Sequence, residues 1–567
     1  MRRRRGRGCR DPPGRGRGDD RRLHRAPGRV PRVRDRGARP RQRLERDRAR
    51  RAGRARRRLR VRRVPVTPEA FAPTFAAIDG FDDTTDFDVL YLLNLWYGYR
   101  DLLPEATRDA IERRLLAFKY WYTEPTPEGV VDDKWYWSEN HRIIFHVDEY
   151  LAGHAFPGET FTNDGRTGAE HAEHAERLIR EWLEEKVRFG FSEWHSDVYY
   201  QKDVTPLLTL VEFAPDEDLA NRAAMVLDLV LLDVALHLHR GNFGATHGRS
   251  YMKDKSTALD QDTFGLAKLA FDDTDEPYQS RTDPGAVLLA RARRYRVPPV
   301  IAAIARSDEP MKDCEHMNVP LDPQAPVTDD PVPPYGIAFD DPANVPFWWE
   351  RGAHIAWQLV PLTIETLDRH GLWESKFFSP FRPLRDAVGG DPDVARAFAQ
   401  SLAPVLNLGL LSEVFTCTYR DRHVMLSTAQ DHRPGMFGEQ YHAWQATLDE
   451  HADRVHHAPE ERAAGGHRVA RRRRLLDRHR VDAALGAARH RGDPRLCTRV
   501  RAARTAARPV LVPRLHARLL PAGALRRGGD RRALDVRPPG RRVRRAVVDA
   551  AGALARARPG EGVHATG

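Results

Sequence analysis

The run FGFSEWHSDVYYQKDVTPLLTLVEFA, Phe189 to Ala214, sets Glu193, His195, Ser196, Asp197, Tyr199, Tyr200 and Lys202 within ten residues and then becomes apolar. Carboxylates, an imidazole, phenols and an ammonium are the groups of proton-transfer chemistry. Glu193 and His195 are close enough in the chain to tune each other's pKa, and Tyr199 or Tyr200 can trade a proton if a neighbouring cation lowers its pKa. Thr205 to Ala214 supplies a buried helix face with Pro206 in its first turn, so the polar cluster is expected in the preceding loop, close to a rigid anchor. The competing reading packs the tyrosines between helices and uses Asp197 as a cap.

Three further segments have the same mixture of aromatic, imidazole, guanidinium and carboxylate groups beside glycine. In DKWYWSENHRIIFHVDEYLAG (133–153), Ser138 suits an N-cap and places Glu139, Asn140 and His141 in the first turn, ahead of Ile143, Ile144, Val147 and Leu151. There Asn140 and His141 either point into a cleft, or Glu139 only complements the helix dipole with His141 at the surface. In GNFGATHGRSYMKD (241–254), His247 and Arg249 follow glycines that permit close backbone approach, and Arg249 can clamp a carboxylate. STAQDHRPGMFGEQYHAWQ (427–445) contributes Asp431 and Arg433. Sugar clefts need this mixture, because aromatic faces stack on pyranose rings while polar groups bond the hydroxyls. Trp137, Trp194, His247, Arg249, Tyr251, Asp431 and Arg433 are the substrate-binding candidates.

The elements that must position these groups read as helix after helix. Helical spacing covers 86–103, 103–121, 138–155, 168–189, 203–214, 216–240, 256–271, 285–305, 351–370, 379–388, 392–411 and 436–451. Strand-like alternation is confined to 412–427, a possible hairpin, and the Pro- and Asp-rich stretch 307–346 reads as an ordered loop or flap. A dozen helices without a fixed repeat fit helical hairpins arranged in a ring, with function in loops at one rim.

Charge divides the 567 residues in three. Residues 1–63 carry 29 Arg and 6 acidic residues, and 459–567 carry 28 Arg and 9, whereas 64–458 hold 36 basic and 65 acidic residues. Clustered Arg ordinarily points to phosphate. Neither end contains Lys, however, and both have the vocabulary of GC-rich DNA read in an unintended frame. A one-base offset of a GC-favouring back-translation turns Arg474–Arg489 and Leu519–Val548 into aromatic, turn-rich text. The tail is therefore expected to be a frameshifted remnant of a β-rich domain and the head disordered or mistranslated, with no nucleic-acid partner for either. No apolar run spans a membrane and no signal peptide is visible, so the compartment stays open. Cys314 and Cys417 alone fall in the central block, too few for a disulfide framework.

The SENH helix start, the SEWHSDVYY loop and the run of helical hairpins resemble the (α/α)-toroid polysaccharide lyases of the heparinase II/III and hyaluronate lyase type and their uncharacterised bacterial relatives. That resemblance implies an all-α toroid followed by an antiparallel β-domain, and β-elimination of an acidic polysaccharide. It implies Asn140, with a neighbouring His or Glu, as neutraliser of the uronate carboxylate, His195 as base, Tyr199 or Tyr200 as acid, and Arg249 as a carboxylate contact. Glu139 and Glu193 depart from the pattern, since two acids repel a uronate.

Two other classes compete. A glycoside hydrolase on the same ring would use Glu139, Glu193 or Asp431 as acid and base, and a glycan-binding protein would use the aromatics without turnover. HExxH, paired CxxC, GxxxxGK[ST] and GxSxG in a strand-turn-helix context are all missing. His171 and His174 read as solvated, and a metal centre of His141, His195 and His247 is the minor alternative. No metal or other cofactor is expected.

Overall fold

The computed structural model describes residues 66–255, 257–278, 283–406, 409–430, 440–449 and 452–456. The Arg-rich ends, with the frame reading, and the candidates Asp431 and Arg433 lie outside the described residues. Of those described, about 52% are helical and 9% are in strands.

The helices are α1 (Ala72–Asp79), α2 (Thr85–Tyr99), α3 (Glu105–Ala117), α4 (Glu139–Ala155), α5 (Gly168–Phe189), α6 (Tyr200–Phe213) and α7 (Glu217–Leu236). Shorter ones follow: α8 (Phe264–Phe271), α9 (Pro284–Arg291), α10 (Pro299–Ala305), α11 (Val345–Glu350), α12 (Val360–Arg369), α13 (Arg382–Val388) and α14 (Pro392–Leu406). The strands are β1 (Leu238–His239), β2 (Asn242–Phe243), β3 (Met311–Met317), β4 (Val414–Arg420), β5 (Met425–Gln430), β6 (Trp444–Asp449) and β7 (Ala452–His456).

Helix α4 is the centre of the packing, touching α2, α5 and α6, while α6 packs on α7 and α9. Fifteen of its seventeen residues are buried. Ile143, Ile144, Phe145, Val147 and Leu151 are wholly so, each contributing roughly 1.5–3 kcal/mol, which offsets the cost of the polar groups that α4 also carries inward. Its neighbour α5 starts at a capping box: Glu170 N–H donates to Thr167 Oγ1 at 3.3 Å and Thr167 N–H donates to the Glu170 carboxylate at 2.8 Å. Glycine brings the two helices together, because a Cβ on Gly153 would lie 2.4 Å from the Gly168 carbonyl oxygen.

Three elements differ from expectation. Helix α6 begins at Tyr200 rather than 203, so Pro206 sits inside it, and without an N–H it leaves the Lys202 carbonyl unbonded by the helix. The flap contains β3, which heads a five-stranded antiparallel sheet in the order β3-β4-β5-β6-β7. The stretch 436–451 supplies β6 instead of a helix, with Gln445 and Thr447 buried at a spacing of two. The expected hairpin is present as β4 and β5. Cys314 and Cys417 face each other across β3 and β4 and form a disulfide, so two cysteines suffice for one staple.

Candidate functional site

The four segments singled out by composition meet. Gly248 N–H donates to the Trp194 carbonyl at 2.8 Å, and Ser196 Oγ donates to the Arg249 carbonyl at 2.7 Å. Only glycine allows the first contact: a Cβ on Gly248 would lie 2.4 Å from the Trp194 ring. Ser250 N–H donates to the Gln440 carbonyl at 3.0 Å, and His247 and His442 bridge their backbones. From α4, the Glu139 carboxylate accepts the N–H groups of Ser192 at 2.7 Å and Glu193 at 3.1 Å.

Many of the candidates are consumed by this stitching. Glu139 also takes Lys186 Nζ at 2.5 Å, and that ammonium reaches Glu350 at 2.5 Å. Glu350 in turn holds Arg142 at 2.5 Å, which also pairs with Glu185 at 2.8 Å. Opposed by burial but charged by Lys186, Arg142 and Arg351, the Glu350 carboxyl is lowered to about 2. Tyr200 is fully buried, its hydroxyl accepting the His195 N–H at 2.9 Å and donating to Asp233 at 3.2 Å. Trp137 is packed against Tyr122, Trp349 and Phe378, and Trp194 against Met317 and Tyr441.

His195 and His247 are also interior. His195 has φ +48°, a left-handed conformation that costs a non-glycine residue of order 1–3 kcal/mol. Its Nε2 lies 2.6 Å from Glu315, while its ring packs at a tilt against His237 with centroids 4.1 Å apart. Nδ1 of His247 contacts the His195 carbonyl, and its Nε2 faces Asp197 at 3.5 Å.

A second set keeps unspent groups toward solvent. Tyr199 Oη lies 2.5 Å from Tyr251 Oη. Two cations stand over the Tyr199 ring, Lys202 Nζ at 4.2 Å and the Arg249 guanidinium at 5.0 Å from its centroid. Arg249 is anchored to Glu193 at 3.0 Å and to Gln440 at 2.6 Å, yet its side chain stays 35% exposed. Burial raises the Tyr199 phenol well above 10 despite Arg249, so it retains its proton. Burial likewise lowers Lys202 and raises Glu193.

The Lys202 charge of this set also acts on His141. Its Nδ1 lies 2.7 Å from the Asp86 carboxylate. Burial works against a charged ring, but Asp86 outweighs it and raises the imidazole above 6.5, while the Lys202 charge acts in the opposite direction. Beside it, Asn140 accepts the Ser138 hydroxyl at 2.8 Å and leaves its buried Nδ2 without a partner.

Sequence reasoning passed over Asp86, His237, Glu315 and Gln440, and left Lys202 unassigned. Lys202 had a signal, one turn from Tyr199; the others are distant in the chain from the motifs they serve. Compared with protein-family models, with curated proteins and with solved structures, the chain matches none.

Proposed function

We propose that the chain is a carbohydrate-active enzyme that cleaves an acidic polysaccharide by β-elimination, on helical hairpins arranged as an (α/α) toroid. The observation that carries this reading is the solvent-facing set, two cations over one protonated phenol and a second phenol 2.5 Å from it, together with a buried imidazole oriented by a carboxylate.

A uronate carboxylate binds Arg249 and Lys202, which draw off its charge and acidify the adjacent ring C–H. His141, with Nδ1–H donated to Asp86, takes that proton at Nε2. The electron pair becomes a ring double bond as the glycosidic C–O bond breaks, and the leaving oxygen takes the Tyr199 proton, with Tyr251 held at that hydroxyl. His141 thus replaces His195, whose ring faces Glu315, as the base.

Inverting hydrolysis is the weaker reading because Glu139 already serves Lys186 and two backbone N–H groups, and Glu193 serves Arg249. Binding without turnover lacks its stacking platforms, since Trp137 and Trp194 are 1% and 3% exposed. The test is incubation with a panel of uronate and neutral glycans. Growth of ultraviolet absorbance from an unsaturated product supports elimination. New reducing ends without that absorbance would indicate hydrolysis, and binding with neither would indicate a lectin-like protein.

A further inference from the structure

His195, His237 and Glu315 come from three different elements: the loop before α6, the end of α7 and strand β3. Each offers one donor atom, and the three atoms lie within 4.8 Å of one another. Ligands sharing a tetrahedral zinc at about 2.1 Å stand roughly 3.4 Å apart, so side-chain adjustment of about 1 Å closes the set. We propose that these three residues form a divalent-metal site, selective for zinc among the common ions, that ties the loop, α7 and the sheet together.

The second shell is that of a metal centre. His237 Nδ1–H donates to the Asp233 carbonyl at 2.7 Å, which fixes the tautomer and leaves the Nε2 lone pair for a cation. The His195 Nε2 to Glu315 separation of 2.6 Å is that of a shared proton, and a cation takes the proton's place on binding. His195 has a further ring nitrogen, Nδ1, that is wholly buried, and the Thr246 backbone accepts a hydrogen bond from the ring. Asp313 has a buried carboxylate oxygen without a partner and acts electrostatically on all three residues.

Two histidines and one glutamate leave a fourth position on a tetrahedral ion, and imidazole with carboxylate favours zinc over calcium or magnesium. Arg420, whose charge acts on His237, is engaged with the carbonyls of Ala235, Leu238 and Ile304 and pairs with none of the three. The contrast with Glu124, Asp164 and His171, the second such group among the described residues, is instructive. Arg166 already pairs with Glu124 at 2.9 Å and with Asp164 at 2.5 Å, so that cluster has its cation.

Such an ion holds His195 in its left-handed conformation, four residues ahead of Tyr199. It is independent of the elimination reaction and stands whether or not the chain turns over a glycan.

The full chain, stripped with a chelator, is titrated with zinc chloride and, separately, with cobalt chloride. The expected result is one equivalent of zinc per chain by elemental analysis and a cobalt visible spectrum of tetrahedral type. His237→Ala and the isosteric Glu315→Gln lower the affinity at least 10-fold, whereas His171→Ala retains the full equivalent. Glu315→Gln keeps the test valid if His237→Ala does not fold. No stoichiometric zinc in the unsubstituted chain, full retention in both site variants, or loss only in His171→Ala would overturn the proposal.

Discussion

Two halves of the convergence zone use the same residue types for opposite ends. On the inner side Glu139, Lys186, Glu350 and Arg142 form a closed chain of charges, and Tyr200 is locked between a backbone N–H and Asp233. On the outer side Tyr199, Tyr251, Lys202 and Arg249 retain access to solvent, and the buried His141 is held by Asp86. Tyr199 and Tyr200 are adjacent in the chain yet fall on either side of this division. Residue type therefore says little about role; whether the polar atoms are already spent says much more.

The largest expected effect sharpens the inner half. Lys186→Met leaves Glu139 and Glu350 buried with too little positive charge, and removal of one partner from a buried ion pair costs about 3–5 kcal/mol. Chemical denaturation measures the loss, and a change under 1 kcal/mol would show that the cluster does not hold the site together. The disulfide comes next. Cys417→Ser opens a closure spanning 103 residues, for which roughly 2–4 kcal/mol is expected, seen in the same experiment as a lower midpoint.

On the outer half, Arg249→Met removes the cation offered to a carboxylate. A charge-assisted contact contributes about 1.5–3 kcal/mol, so KM for an acidic glycan should rise roughly 10- to 100-fold, with a lower melting temperature from loss of the Glu193 pair. An unchanged KM would place Arg249 in the inner half.

The smallest effect concerns pH. The charged groups facing His141 are Asp86 and Asp83, which raise it, and Lys202, which lowers it. A group raised on folding contributes stability that is complete below its unfolded value of 6.5 and is lost as pH climbs through the folded value. Activity that needs the neutral ring runs the other way, rising through that same value, so its acid limb should lie above pH 6.5. Asp86→Asn should move the limb to lower pH. An unmoved limb would exclude His141 as the base.

Much of this division could not be read along the chain. The helices were legible where apolar spacing was regular, as in α4, α5 and α7, and the SENH and SEWHSDVYY motifs marked the loops that converge. Strand β3 was not, because MKDCEHM has no apolar alternation and its register comes from β4, a hundred residues later. β6 was hidden by buried polar residues, Gln445 and Thr447, that mimic neither a helix face nor an apolar strand. The partners that decide each candidate's role, Asp86 for His141 and Lys186 with Glu350 for Glu139, are 55, 47 and more than 150 residues away from what they hold. Spacing rules reach only local neighbours, so motif residues were found and their occupancy was not.

The adjacent tyrosines give the most direct test. Tyr199→Phe and Tyr200→Phe, each assayed for turnover of an acidic glycan and for unfolding free energy, separate the two halves one residue apart. The expected result is that Tyr199→Phe lowers kcat about 10²- to 10⁴-fold with stability unchanged. Tyr200→Phe should lose about 1–3 kcal/mol while its folded fraction keeps near-normal kcat. The reverse pattern, or two variants that behave alike, would contradict the assignment of chemistry to the solvent-facing set.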